Sequence, residues 1–309
     1  MTRRSLLGTL ILGLGFALPG RAQEAHGMGF IEATPADIAR SGAFKFRATR
    51  DVLPRQLLLT NYLPPIGTQG RQSSCAGWAA AYYSYTYAVA RQRKLTPEQR
   101  SQAKFQFSPA FLYHLVNGGA DSGSRMRDIF DVLEQKGCAT LAEMPYNEQD
   151  IATPPSTDAL QRGDMYKSRQ SGVLFCGLGK ANLTDLKRFL VETEHPFVMG
   201  ILIFKDFPDK SVAPDFVYNL GIEPTKANFK GGHAICIMGY DEDKKAFRMV
   251  NSWGKAWGDN GFLWLGEEFV QKWCAEAWGV KEAGGVVARD PAAPIKVSKN
   301  IALEFPKRK

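Results

Sequence analysis

The chain has few histidines, four in 309 residues, and few cysteines, five. Its longest apolar run, Leu6 to Leu18, falls short of the roughly 20 residues that a membrane helix needs. A stable membrane span is therefore not expected. No internal repeat is present, which argues against a solenoid, and no phosphate- or nucleotide-binding element is found. Asp241-Glu242-Asp243 starts like a calcium loop but lacks the glycine and closing glutamate that such a loop requires, so it reads as a solvated turn. The net charge of +8 sits mostly at the ends. Arg3, Arg4 and Arg21 lie in the first 22 residues, and residues 285–309 carry six basic side chains against Asp290 and Glu304. The remaining body is nearly balanced, so a basic groove for nucleic acid is not expected.

The two ends read as separate segments. Thr2-Arg3-Arg4-Ser5-Leu6-Leu7 is a twin-arginine pattern, followed by the apolar run and by Gly20-Arg21-Ala22, with small residues where a signal is cut. Residues 1–22 are expected to be an export signal, giving a periplasmic or secreted protein. Residues 23–52 form a weakly patterned lead, in which Thr34-Pro35-Ala36-Asp37 can cap one short helix. Residues 285–309, with Pro291, Pro294 and Pro306, read as a loosely ordered basic tail.

Between them, patterning changes half-way. From Cys75 to about Arg93 the chain has no proline and is rich in alanine and aromatics, so one long buried helix is expected, with Tyr82, Tyr83, Tyr85 and Tyr87 as packing. Ser108-Pro109 starts a helix that runs to Val116. Arg127 to Gln135 forms another, stopped by Gly137. Asn182 or Thr184 caps a helix over Asp185 to Glu192. Phe197–Phe204, His233–Tyr240, Ala246–Asn251 and Phe262–Leu265 read as strands. A mostly helical part, 53–170, followed by a strand-rich part, 171–284, gives an α+β fold.

The chemistry lies in three places. Cys75 opens the long helix, where unpaired N–H groups favour a thiolate. Gln69, six positions earlier, could add a second hydrogen-bond donor for an oxyanion. His233 starts a strand, and Asn251 ends the next one. Nucleophile, base and the group that orients the base thus occur in order. His26, His114 and His195 lie in the lead, mid-helix and a turn, which makes His233 the candidate base. The other cysteines, Cys138, Cys176, Cys236 and Cys274, allow three pairings if bridged, but Cys236 sits in an apolar run that suits a buried free thiol.

These segments resemble the papain-like cysteine peptidases. Gln69 to Trp78, His233 to Tyr240 and Asn251-Ser252-Trp253-Gly254-Lys255-Ala256-Trp257-Gly258-Asp259-Asn260-Gly261-Phe262 carry the resemblance, over roughly residues 53–280. It implies a two-lobe fold, a helical lobe plus a β-barrel-like lobe, with the active-site cleft between them. It implies Gln69 as oxyanion donor, Cys75 as nucleophile, His233 as base, Asn251 as orienter and Trp253 as shield. Gly123, Ser124 and Met126, together with Ala234, would line a substrate pocket. The substrate would be a peptide or protein, with no metal or cofactor. The sequence departs from the pattern at Gln72, where the usual first cysteine stands, and at Gly232 before the histidine. The family's long helical inhibitory segment has no match in residues 23–52. A Cys-His transferase, a cell-wall amide hydrolase and a non-catalytic papain-fold binding module remain as alternatives.

Overall fold

The computed structural model describes residues 26–34, 36, 37, 44 and 52–283. The export signal, most of the lead and the basic tail lie outside the described residues.

The long helix expected from Cys75 is present but uneven. It runs as α1 (Cys75–Gly77), a π-helical stretch (Trp78–Tyr85) and α2 (Thr86–Arg93). Ala76 to Ala90 are buried throughout, so the helix is core on every side rather than an amphipathic surface helix. The wider π coil coincides with the crowded aromatics Trp78, Tyr82, Tyr83 and Tyr85, all buried. Each such ring contributes about 1.5–3 kcal/mol by leaving water. Their hydroxyls are satisfied by distant backbone: Tyr83 donates to Asn251 O at 3.0 Å and Tyr85 to Tyr166 O at 2.8 Å. The first of these ties the central helix to the strand end that carries Asn251.

Around this helix lie α3 (Pro97–Arg100), α4 (Pro109–Val116), α5 (Met126–Gln135) and α6 (Thr157–Asp164). Ser108 caps α4 as expected, accepting from Phe111 N. Residues 53–170 are less helical than the sequence suggests, because 136–156 is irregular apart from an isolated bridge at Thr140. In the second half, α7 (Leu183–Thr193) is capped by Asn182 and α8 (Glu267–Trp273) precedes the last strand.

The strands are β1 (Phe30–Ile31), β2 (Gln56–Leu58), β3 (Ser124–Arg125), β4 (Arg169–Cys176), β5 (Phe197–Phe204), β6 (Val217–Tyr218), β7 (Phe229–Asp241), β8 (Ala246–Val250), β9 (Phe262–Gly266) and β10 (Cys274–Glu282). Eight of them form one sheet in the order β4-β10-β5-β7-β8-β9-β6, with β2 added to β7. Strand β5 is buried along its whole length, as its unbroken apolar run requires. The central helix packs on β7, β5 and β10, which brings Cys75 beside the start of β7. The remaining pair is β1 with β3, two short parallel strands. No described helix is long and apolar enough to cross a membrane.

Candidate active site

Cys75, His233, Asn251 and Gln69 are all buried and lie together where the central helix meets β7 and the end of β8. Ala234 N, one residue past His233, points to Cys75 Sγ at 3.4 Å. His233 Nε2 bonds Asn251 Oδ1 at 2.8 Å. The same Oδ1 accepts from Ser252 N at 2.8 Å, which identifies it as the amide oxygen. His233 Nε2 therefore carries the proton and Nδ1 keeps its lone pair. His233 Nδ1 has no hydrogen-bond partner. Trp253 packs on the imidazole at 4.7 Å between ring centroids.

Gln69 is oriented from both ends. Its Oε1 accepts from Ser252 Oγ at 2.5 Å, and its backbone N donates to Ser252 O at 2.8 Å. The amide Nε2 is thereby turned outward as a donor. It donates to Gln72 O at 2.8 Å and to Gly27 O at 3.0 Å.

That second acceptor belongs to the lead. Residues 26–31 form a strap through the site. His26 stacks on Trp253 at 4.7 Å, nearly parallel. The Gly29 N–H also acts on the Cys75 sulfur, favouring its thiolate. The Gly29 carbonyl accepts from Ser124 N at 2.8 Å, and Phe30 and Ile31 pair with Ser124 and Arg125. Gly27 and Gly29 must be glycines, because a Cβ on either would fall about 2 Å from the carbonyl oxygens of Gln72 and Ser73. The Phe30 ring rests on Gly200, where an added Cβ would lie 2.3 Å from it, and against Gly232. Beyond the strap, Thr34 and Asp37 bond each other as a helix start, as the sequence suggests, and Asp37 binds Arg127 at 3.1 Å.

Under the strap the chemistry is held neutral. Burial pushes the Cys75 thiol up to about 11, against the pull of the Ala234 and Gly29 N–H groups. Burial also holds His233 down to about 4, against its bond to Asn251, while His26 adds repulsion. All five cysteines are free thiols, with Cys236 buried in β7.

Residues 60–278 match the papain family cysteine proteases. The chain belongs to this family. Its function class is that of a cysteine-type peptidase acting on peptide or protein substrates. It is 24% identical over 221 residues to an uncharacterized peptidase C1-like protein of Acanthamoeba polyphaga mimivirus, covering 69% of this chain and 68% of that protein. It is 27% identical over 220 residues to Cathepsin K of Gallus gallus, covering 68% of this chain and 57% of that protein. In fold it resembles xylellain, a cysteine protease from Xylella fastidiosa, with a TM-score of 0.66 at 23% identity, covering 84% of this chain and 98% of that one.

Within this family member, Gln69, Cys75, His233, Asn251 and Trp253 come together. Gly123, Ser124 and Ala234 also reach the site, through the strap and the Cys75 sulfur. Met126 is buried at the start of α5. Nothing in the resemblance points to the strap, since residues 23–52 lack the long helical segment that the family pattern carries. The Gly27-Met28-Gly29 spacing is the signal that marks it.

Proposed function

We propose that the chain is a cysteine endopeptidase whose nucleophile is Cys75 and whose described state is closed by its own residues 26–31. The carrying observation is that a peptide main chain lies on these residues, with the Gly27 carbonyl on Gln69 Nε2 and Gly29 packed against Ser73 beside Cys75.

The reaction follows from the donors and acceptors. The Cys75 proton passes to His233 Nδ1, and the sulfur attacks the scissile carbonyl carbon. The oxyanion accepts from Gln69 Nε2 and from the Cys75 N–H. His233 returns the proton to the leaving amine, the C–N bond breaks and a thioester remains. Water then gives a proton to His233 and attacks the thioester, and collapse releases the acid and the thiol. Asn251 fixes the imidazole tautomer, and Trp253 shields that bond from water.

The strap's direction does not suit cleavage in place. The leaving amine must sit beside His233 and Trp253, so a productive substrate runs with its C-terminal side there. In the strap, the N-terminal His26 is at Trp253 and the later Phe30 is at Gly200. It therefore runs backwards across the thiol.

A peptide aldehyde tests the assignment, since its carbonyl adds reversibly to a thiol as a hemithioacetal. It is expected to protect Cys75 from alkylation in the full chain. An aldehyde that leaves the alkylation rate unchanged, in a variant whose strap has been loosened by Phe30→Ala, contradicts the reading.

We also propose export through residues 1–22 by the twin-arginine route, supported by Arg3-Arg4 before the apolar run. The double substitution Arg3→Lys with Arg4→Lys is expected to retain the protein in the cytoplasm. Unchanged export contradicts it.

A further inference from the structure

The two oxyanion donors sit at the ends of one loop, residues 69–75. Nothing covalent braces this loop, since all five cysteines are free. The brace is a second segment, residues 146–150, which the reaction does not otherwise use. Tyr146 OH donates to Gln69 O at 2.9 Å. Its single proton is thereby spent, so at 2.8 Å it accepts from Ser74 Oγ. One phenol thus joins the residue before the nucleophile to the residue that carries the oxyanion amide. The Tyr146 ring is held edge-on to Trp78 at 4.9 Å.

Gln72 grips the same segment from the middle of the loop. It is fully buried, which is unusual for glutamine. Its Nε2 donates to Asp150 O at 2.8 Å, with Asn147 O and Glu148 O each 3.4 Å away. Arg71 N donates to the Glu148 carboxylate at 2.7 Å, and Gly70 leaves room for that carboxylate, which an added Cβ would strike. The segment is itself fixed beyond Asp150. Asn117 Nδ2 donates to Ile151 O at 2.8 Å, and His114 Nδ1 donates to Thr153 O at 2.7 Å, both from the end of α4.

The Gln72 carbonyl sets the aim of Gln69. A side-chain amide nitrogen carries two protons. In the closed chain Gln72 O takes one at 2.8 Å and Gly27 O takes the other at 3.0 Å. When the strap leaves, the second proton is free for the oxyanion while Gln72 O keeps the first. A Gln72 carbonyl that turned would swing the donor away, and its anchored side chain resists that turn. Misplacing a reacting group by about 1 Å can cost about 10²-fold in rate.

We propose that Gln72 and Tyr146 are positioning residues for the peptidase reaction: they clamp the oxyanion loop to residues 146–150 and so fix the direction of the Gln69 amide. This rests on the peptidase reading in that the amide serves an oxyanion.

The test uses the full chain carrying Phe30→Ala, so that the strap does not mask the site. Gln72→Met keeps the length of the side chain and removes its donor. Tyr146→Phe keeps the ring on Trp78 and removes the hydroxyl. Gln72→Met is expected to lower kcat by about 10- to 100-fold and Tyr146→Phe by about tenfold, each with KM within about twofold. Both act through Gln69, so neither should lower kcat further in a Gln69→Ala chain. Losses that multiply in the double variants overturn the proposal, as does an unchanged kcat in the folded single variants. The second readout needs no cleavage. A peptide aldehyde places its hemithioacetal oxygen at the same amide, whereas iodoacetamide alkylation forms no oxyanion. Gln72→Met should weaken aldehyde protection of Cys75 by about tenfold or more and leave the alkylation rate itself within about threefold. Equal losses in both mark a general structural role and overturn the proposal. If Gln72→Met does not fold, Tyr146→Phe carries both readouts. Failure of all cleavage would count against the peptidase reading, while aldehyde protection still decides the role of Gln72 and Tyr146.

Discussion

Gln69 Nε2 donates to the carbonyl oxygen of Gly27 at 3.0 Å, so the chain's own backbone occupies the donor assigned to the oxyanion. Substrate and strap then compete for one hydrogen bond. Gln69→Ala is expected to act twice. It should loosen the strap, and in peptide cleavage it should lower kcat by roughly 10² to 10³, or about 2.7–4 kcal/mol. Steady-state kinetics in a Phe30→Ala background separate the effects. A change confined to KM would make Gln69 a residue that only shapes its loop.

The orientation of that amide comes from Ser252, whose hydroxyl holds Gln69 Oε1 at 2.5 Å. Ser252→Ala leaves the buried Oε1 without its donor, at about 1–3 kcal/mol. A loss of kcat, smaller than that of Gln69→Ala and with the fold intact, is the expected outcome. An unchanged kcat would show that the bond does not set the amide's direction.

The reactivity of Cys75 is expected to depend on the strap. With the thiol pushed up to about 11, the thiolate fraction at pH 7 is about one in ten thousand. The intact chain should therefore label slowly, with the rate rising only in the alkaline range. The position of Cys75 at a helix start suggests a resting thiolate, which with a protonated His233 would make an ion pair. Burial beneath the strap removes the water that such a pair needs, so the neutral pair is the closed state. Releasing the strap with Phe30→Ala should allow the ion pair and shift fast labelling down to about pH 4–5. The two groups then titrate together. Superimposable profiles for both proteins would contradict strap control.

Closure of the strap is also expected to respond to pH through two acids of opposite sign. Asp37 is held down to about 2, chiefly by its side-chain and backbone bonds to Thr34, with Arg127 and Arg125 adding to this. Its contribution is present above the ordinary carboxyl range and disappears only as the pH falls toward 2. Glu276 is pushed up to about 7 when the strap is closed, by burial first and then by Glu32 and Asp37. In open chains the repulsion from Glu32 and Asp37 is relieved, so they lose the proton at lower pH than closed chains, and closure weakens as the pH rises toward 7 and then levels off. Native-state proteolysis of the lead should speed up across that window, and Glu276→Gln should flatten the response. A wild-type response that is flat from pH 5 to 8 would count against the linkage.

What the sequence made legible follows from which features chemistry forces into fixed patterns. Cys75, His233 and Asn251-Ser252-Trp253-Gly254 are legible because a nucleophile, a base and its orienter demand these residue types, and Ser-Trp-Gly marks out the asparagine. Gln69 is legible through its spacing from Cys75. Strand β5 is legible because an unbroken apolar run has few other homes. Strand β10 was missed for the reason that makes it interesting: Cys274-Ala275-Glu276-Ala277-Trp278 places a carboxylate in a buried strand, against local preference. The π-helical stretch was missed because aromatics at 78, 82, 83, 85 and 87 fit an ordinary helix nearly as well. The strap is not legible because six residues with two glycines have no hydrophobic period, and their partners lie far along the chain, from Gln69 for Gly27 to Trp253 for His26.

The most direct measurement is a peptide-library digest by the full chain carrying Phe30→Ala, with and without Cys75→Ala, read by mass spectrometry. The account predicts cleavage at internal peptide bonds by the first protein, faster than by the parent chain. It predicts no new products from a folded, metal-free preparation of the second. Cleavage that persists without Cys75, or a strap-released chain whose Cys75 labels rapidly yet cuts no peptide, would contradict it.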